Sequence, residues 1–149
     1  MSRFDGATVL VSGASRGLGR AIALAFAREG AFVAIGYRTR DEEAAATLEA
    51  VRSGGGRGRC VQLDVCDAEL VKGVVDGLVA EHGQLDVAVA NAAIAEDAPF
   101  VLQPPPSFDR VVATNLTGTA NVCRAAARAM LTTRRGAIVT VASVAGMMA

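Results

Sequence analysis

Three closely spaced glycines, Gly13, Gly17 and Gly19, mark the part of the sequence whose residue types are best suited to chemistry. They follow the apolar run Val9–Val11, which is typical of a strand buried on both faces of a parallel sheet, and a helical pattern comes after them. A glycine turn between strand and helix lets an anion approach backbone N–H groups and the positive end of the helix dipole. The pattern predicts a pyrophosphate-binding turn, although a tight turn that binds no ligand would have the same local sequence.

The end of the second predicted strand, Ala31–Gly36, bears on which dinucleotide would bind. In dinucleotide-binding folds an acidic residue here accepts a hydrogen bond from the ribose of NAD, whereas basic residues accommodate the 2′-phosphate of NADP. Positions 36–40 hold no acidic residue, Arg38 and Arg40 are present, and Arg16 in the glycine turn adds a third cation. The sequence favours NADP(H), with solvated loop arginines as the alternative.

Length and composition narrow the class of protein. The chain has 149 residues, of which 52% are hydrophobic, and its 15 basic residues balance its 15 acidic ones. This is enough for one domain with a substantial core, and the balanced charge disfavours nucleic-acid or membrane-surface binding. We expect a cytoplasmic protein, because no stretch resembles a signal peptide or a membrane span.

Cysteine and histidine offer little for metal binding or catalysis. Cys60, Cys66 and Cys123 match no metal-ligand spacing, which predicts buried, reduced thiols and no metal site. The single histidine, His82, precedes Gly83 at a predicted helix end, so a capping or surface role is favoured.

Strands and helices alternate five times along the chain. The alternation predicts an α/β fold with a Rossmann-type doubly wound parallel sheet of five strands, in one domain over residues 1–149. The third, fourth and fifth strands are predicted at Cys60–Val65, Asp86–Asn91 and Gly136–Ser143.

Polar residues mark the predicted helix starts. Thr39 and Glu42 have the spacing of a capping box, while Asp67 and Ser107 precede the third and fourth helices. Apolar spacing predicts buried stripes on the first helix (Leu18, Ile22, Ala25, Phe26) and the fourth (Phe108, Val111, Val112, Leu116, Val122, Ala126, Met130).

Five stretches resemble the short-chain dehydrogenase/reductase family. Ser12–Gly19 is similar to its Thr-Gly-x-x-x-Gly-x-Gly motif, and positions 64–65 match its Asp-Val pair. The family's Asn-Asn-Ala-Gly, Val-Asn-Leu-x-Gly and serine-bearing strand motifs resemble Leu85–Ala93, Val112–Gly118 and Ile138–Gly146. The resemblance extends along the whole chain and covers the N-terminal part of the family's fold.

For the cofactor, the resemblance implies contacts at the glycine turn and at the strand ends. Asp64 and Val65 would meet the adenine ring, although Asp64 could equally be a polar strand terminus. Asn91 would tie the central strands together near the adenosine side. The full set of implied cofactor residues is Gly13, Ser15, Arg16, Gly17, Leu18, Gly19, Arg38, Asp64, Val65 and Asn91.

For catalysis, the resemblance implies roles for Asn115 and Ser143. An asparagine within a helix is locally unfavourable, and in the family it holds a kink and a water of a proton relay. A buried, hydrogen-bonded asparagine is the alternative for Asn115. Ser143 corresponds to the serine that orients the substrate, whereas a lone serine at a strand end would be only a cap or turn residue.

The sequence also departs from the family pattern. Ser12 stands where threonine is usual, Ala90 replaces the first asparagine, and Ala93 replaces a glycine. The added methyl group at Ala93 predicts a tighter passage for the cofactor.

The family's general acid has no counterpart in this sequence. It is a tyrosine in a Tyr-x-x-x-Lys pair beyond the position of Ser143, whereas the sole tyrosine here is Tyr37 and the sole lysine is Lys72. The fifth strand is apolar on both faces, with no later element to cover it. We therefore expect a fragment of a longer chain, or a chain completed by another polypeptide, that is inactive alone.

The resulting hypothesis is an NADPH-dependent oxidoreductase similar to the 3-oxoacyl-acyl-carrier-protein reductases. It would reduce a small-molecule or carrier-bound ketone to an alcohol by hydride transfer, and would form a homo-oligomer, a dimer or tetramer, when complete. Two alternatives stay open. One is a non-catalytic NADP(H)-binding module, and the other is one half of a split reductase.

Overall fold

A five-stranded parallel sheet organises the chain in the computed structural model, which describes residues 2–144. The strand order is β3-β2-β1-β4-β5, as expected for the doubly wound fold predicted from the alternating elements. The strands are β1 (Thr8–Val11), β2 (Phe32–Tyr37), β3 (Arg57–Gln62), β4 (Val87–Ala90) and β5 (Ala137–Thr140).

Within residues 2–144, five α-helices connect the strands. They are α1 (Gly17–Arg28), α2 (Asp41–Ser53), α3 (Ala68–His82), α4 (Pro105–Val112) and α5 (Thr119–Thr133). A π-helical segment, Ala113–Gly118, joins α4 to α5, and a 3₁₀ turn at Phe100–Leu102 lies in the loop after β4.

Alternate residues of β1 face the two layers of helices. Val9 and Val11 belong to a core with α1 and α2, whereas Leu10 belongs to a core with α3 and α5. All three side chains are fully buried, because helices cover both faces of the sheet. This burial explains why the strand is a continuous apolar run.

The two predicted helix stripes are confirmed only in part. On α1 the buried side chains are Ala23 and Ala27; Ile22 and Phe26 are partly buried against the core, and Leu18 is exposed. Small alanines let α1 pack close to the sheet. In the helical run 105–133, the predicted residues Val122, Ala126 and Met130 are buried, whereas Phe108 and Leu116 are exposed.

The helix caps agree with the sequence at one position and differ at two. Asp67 accepts hydrogen bonds from the backbone N–H of Glu69 and Leu70 at 3.0 and 2.9 Å, as predicted for an N-cap. The predicted capping box at Thr39 is wrong, because α2 begins at Asp41 and no side chain caps it. Ser107 is also not a cap, since α4 begins at Pro105 and Pro104 is its N-cap.

Strand β5 lies at the sheet edge and pairs with β4. Its four residues are exposed, and Val139 retains 46% of its accessible surface. This agrees with the prediction of an apolar strand that lacks cover within residues 2–144. The predicted motif after the strand reaches Ala145 and Gly146, which lie outside the described residues.

The thiols differ in part from the prediction of buried cysteines. All three are free, but Cys66 is exposed, and Cys60 and Cys123 are partly buried. Across residues 2–144, no cluster of three or more potential ligand side chains could hold a metal ion. No helix in the same range is long and apolar enough to cross a membrane.

We predict that Asp67→Ala lowers the free energy of unfolding by about 1 kcal/mol, because two backbone donors at the start of α3 lose their acceptor. Urea denaturation measures the change. Asp67→Ser is the matched control, since its hydroxyl can still accept from the helix, and it should lose less. Equal losses in both variants would contradict the capping role.

Candidate functional site

A cavity of about 380 Å³ opens at the carboxyl ends of the strands. The ten residues that the sequence analysis assigned to a cofactor all line it: Gly13, Ser15, Arg16, Gly17, Leu18, Gly19, Arg38, Asp64, Val65 and Asn91. The structure therefore brings four separate stretches of sequence to one place. Their contact with a dinucleotide stays a prediction.

The glycine turn has the backbone shape that the sequence predicts. Gly13 and Gly17 adopt φ values of +65° and +57°, which side chains other than glycine rarely adopt. A Cβ on Gly19 would collide with the carbonyl oxygen of Gly13, so this glycine lets α1 approach the turn. In contrast, the space in front of Gly17 is open, which leaves room for a ligand.

The N-terminus of α1 has the electrostatic character of an anion site. Arg16 is its N-cap residue and makes no capping hydrogen bond through its side chain, and the first turn holds no acidic residue. Unpaired N–H groups and the helix dipole favour a negative charge at this point.

Two buried hydroxyl groups support the turn, and the sequence analysis missed their roles. Ser12 Oγ donates to the carbonyl of Val89 and accepts from the backbone N–H of Asn91 and Ala92. Thr47, fully buried in α2, donates to the carbonyl oxygen of Ser15 at 2.9 Å. A threonine on the apolar side of α2 is the signal that could have identified this second support.

Asn91 joins the ends of β1 and β4, as the family resemblance implies. Its Nδ2 atom donates to the carbonyl oxygens of Ser12 and Gly13 at 3.0 and 3.1 Å. The position of the turn relative to β4 therefore depends on this side chain.

The arginines near the cavity differ in the partners they already have. Arg40 forms an ion pair with Glu43 at 2.8 Å. Neither Arg16 nor Arg38, both exposed, pairs with a carboxylate of residues 2–144. The sequence analysis used both Arg38 and Arg40 to favour NADP(H) but included only Arg38 among the cofactor residues. Of the three arginines that line the cavity, only Arg40 pairs with a carboxylate of residues 2–144.

Tyr37 is the last residue of β2 and lines the cavity. A hydrogen bond with Asp41 raises the pKa of this phenol, and burial adds to the effect. A tyrosine that transfers protons near neutral pH needs the opposite shift. His82 lies elsewhere, at the end of α3 against the ring of Phe32.

The Asp64-Val65 pair is held in a defined turn. Asp64 Oδ1 accepts from the backbone N–H of Cys66 at 2.9 Å, and the carbonyl of Val65 accepts from the buried Asn121. The alternative of a strand terminus is wrong, because β3 ends at Gln62; Asp64 lies in the turn that follows, and it also lines the cavity. The two roles are compatible, because a carboxylate can accept several hydrogen bonds.

The two residues predicted to be catalytic line a second, wider cavity next to the first. Asn115 lies in the π-helical segment, and Ser143 follows β5 rather than lying within it. Asn115 Oδ1 accepts from the backbone N–H of Ile94, and its Nδ2 donates to the Ile94 carbonyl, both at 2.9 Å. The helical irregularity therefore places an amide against the loop after β4.

A cluster formed by Glu96, Arg110 and Ser107 attaches the same loop two residues after Ile94. Glu96 accepts from Arg110 through both carboxylate oxygens, with N···O distances of 2.9 and 2.6 Å, and from the hydroxyl of Ser107. These donors, Arg110 first, lower the pKa of Glu96 to about 2. The sequence analysis missed the cluster, since its members are separated by a proline-rich loop.

Comparison with known proteins decides the family. The family model described as short chain dehydrogenase matches residues 7–149. The chain belongs to this family. The sheet order, the glycine turn and the Asn91 bridge described above are the parts of the family fold that this chain contains.

Three members of the family are similar to this chain in sequence or structure. The 3-oxoacyl-[acyl-carrier-protein] reductase FabG of Staphylococcus aureus is 40% identical over 139 residues, which are 93% of this chain and 56% of that protein. A crystal structure of NAD⁺-bound xylitol dehydrogenase has 36% identity and a TM-score of 0.93, covering 98% of this chain and 56% of the other. A metagenomic short-chain oxidoreductase in complex with NADP has 32% identity and a TM-score of 0.89, covering 96% and 65%.

The chain thus spans between half and two thirds of the length of these relatives. Within that span its cavity fits the phosphate groups of a dinucleotide. The fit rests on the open space before Gly17, which a side chain would fill, and on the uncapped helix behind it.

We predict that the difference in unfolding free energy between wild type and Glu96→Gln depends on pH. The folded-state pKa of about 2 lies below the ordinary value of 4.5, so the ion pair stabilises the protein above the ordinary value. The difference should be constant near neutral pH and shrink as pH falls from 4.5 toward 2. Urea denaturation across this range measures it, and a constant difference would contradict the assignment.

Proposed function

We propose that this chain provides the NADPH-binding part and two catalytic residues of an oxidoreductase that reduces a ketone to an alcohol. The observation that carries the proposal is the cavity in which the glycine turn, the uncapped start of α1 and two unpaired arginines converge. This combination suits a dinucleotide with an additional phosphate. Family membership supports the reaction class.

The charges around the cavity support NADPH over NADH. Arg38 and Arg16 would bind the 2′-phosphate, because both are exposed and lack an acidic partner in residues 2–144. Arg40 would contribute less, since Glu43 already compensates its charge. The relatives include one structure with NAD⁺ and one with NADP, so the choice rests on this chain's own residues.

The residues of the second cavity would position the ketone. The Ser143 hydroxyl would donate to the carbonyl oxygen and orient it, while bound NADPH supplies the hydride. Asn115 uses one hydrogen-bonding position on each polar atom for Ile94 and retains a second on each, so it can also hold a water of a proton relay. Through these two hydrogen bonds Asn115 would also position Ile94 beside the reacting groups.

The proposed reaction also needs a proton donor that this sequence does not provide. Tyr37 lies at the adenosine end, and its raised pKa opposes proton transfer. We therefore propose that a Tyr-x-x-x-Lys pair outside these 149 residues completes the site, in a longer chain or on a second polypeptide, and that the complete enzyme forms a homodimer or homotetramer. The substrate would be a 3-oxoacyl thioester or a related carbonyl compound, by similarity to the Staphylococcus aureus reductase.

The experiment that tests the function combines intact mass with turnover. The natural protein is purified from its source, its mass is measured, and NADPH oxidation is followed with a generic 3-oxoacyl thioester. Turnover by a protein of greater mass, or by a complex with a co-purifying chain, supports the proposal. A protein of 149 residues that binds NADPH without a partner and without turnover would instead indicate a non-catalytic binding module.

We predict that Arg38→Ala raises the Kd for NADPH about tenfold and leaves the Kd for NADH nearly unchanged, because a single charged contact to the 2′-phosphate is lost. Calorimetric titration measures both constants. Arg40→Ala is the matched control and should change the NADPH constant by less than about threefold, since its exposed pair with Glu43 contributes little. Equal effects of the two substitutions would contradict the assignment.

We predict that Gly17→Ala weakens NADPH binding by about tenfold or more, because its Cβ enters the space that a phosphate would occupy. Gly55 is the control, because it also has a positive φ and open space but lies in the turn between α2 and β3. Both substitutions should cost about 1 kcal/mol of stability. Loss of NADPH binding in Gly55→Ala would show that backbone strain, and not the filling of the space in front of Gly17, weakens binding.

A further inference from the structure

The loop after β4 forms the wall between the two cavities. Ala93 and Ile94 line both of them, and the next four residues line the second. A displacement of this loop would therefore alter both cavities together. The contacts that hold the loop therefore affect the shape of both cavities.

Two sets of hydrogen bonds attach the loop to the helical run 105–133. Asn115 binds the backbone N–H and carbonyl of Ile94. Glu96 binds Arg110 and Ser107 on α4, one and two turns before the π-helical segment. Because the two attachments are only two residues apart along the loop, Glu96 limits how far Ile94 can move.

Glu96 accepts hydrogen bonds through its carboxylate and through its backbone carbonyl. Both carboxylate oxygens accept from the Arg110 guanidinium, which is a two-point contact that fixes orientation as well as distance. The backbone carbonyl of Glu96 also accepts from Gln103 at 3.3 Å. The side chain retains 30% of its exposure, so the contact closes the outer side of the loop without being buried.

We propose that Glu96, through Arg110 and Ser107, is a positioning residue that sets the place of Ile94 and so the wall facing the nicotinamide half of the bound dinucleotide. The inference rests on the proposed function. It concerns the nicotinamide half because of the sheet order. Arg38 follows β2 and the phosphate turn follows β1, so a dinucleotide that continues in the same direction next passes β4 and its loop.

The low pKa of Glu96 bears on whether the attachment depends on pH. The carboxylate is charged throughout the physiological pH range, since the Arg110 and Ser107 donors lower its pKa to about 2. The ion pair with Arg110 therefore does not titrate near neutral pH. Its removal should have the same effect on binding at any pH near neutrality.

The test compares two ligands on the purified protein by calorimetric titration. NADPH reaches the loop, whereas adenosine 2′,5′-bisphosphate contains only the adenosine part and its phosphates. We expect Glu96→Ala to raise the Kd for NADPH about tenfold and to leave the Kd for the bisphosphate unchanged. Glu96→Gln retains the shape and one acceptor, so it should show a smaller rise, and it replaces the alanine variant if that variant does not fold.

Two controls separate positioning from general destabilisation. Asp76→Asn removes a carboxylate from an exposed ion pair with Lys72 on α3, and neither residue lines either of the two cavities described above. It should change neither constant. The double substitution Glu96→Arg with Arg110→Glu reverses the pair and should recover part of the lost NADPH affinity.

The outcomes are distinct. An equal rise for both ligands, or no rise for NADPH, overturns the positioning role while wild-type NADPH binding still supports the proposed function. Failure of the wild-type protein to bind either ligand overturns the proposed function and this inference with it. A selective rise that the charge reversal partly restores supports the inference.

Discussion

The hydrogen bonds between the ends of β1 and β4 hold the parts of the site in place. Ser12 Oγ accepts from the backbone of Asn91 and Ala92, and Asn91 Nδ2 donates back to the carbonyl oxygens of Ser12 and Gly13. These bonds satisfy polar groups that the end of a buried parallel sheet would otherwise leave unpaired. The glycine turn follows β1 and the loop between the cavities follows β4. The same hydrogen bonds therefore support both parts of the candidate site.

Charge compensation then distinguishes residues that look equivalent in the sequence. Glu43 pairs with Arg40 and Glu96 pairs with Arg110, whereas Arg16 and Arg38 lack a carboxylate partner in the described part of the chain. Unpaired cations beside an uncapped helix start produce a local positive potential in a chain without net charge. The positive potential therefore belongs to this edge of the sheet and not to the whole surface.

The π-helical segment places Asn115 in the lining of the second cavity. An asparagine inside a helix competes with backbone hydrogen bonds, and here Asn115 directs its amide to the backbone of Ile94. Irregular helical turns of this kind often occur at functional sites. The segment places the amide beside the loop that Glu96 also holds. Asn115 and Glu96 therefore both attach the loop that separates the two cavities.

The sequence by itself determined the α/β fold class, the family, the glycine turn and the stretches that meet at the cavity, because apolar runs, glycines and caps such as Asp67 act over short distances along the chain. It misplaced the caps at Thr39 and Ser107 and the exposure of Leu18, because these depend on neighbouring elements. Only the tertiary structure decided which arginines remain unpaired, and that Glu96 binds Arg110. Those contacts join residues separated by a loop or another element, and no local pattern encodes such a distance.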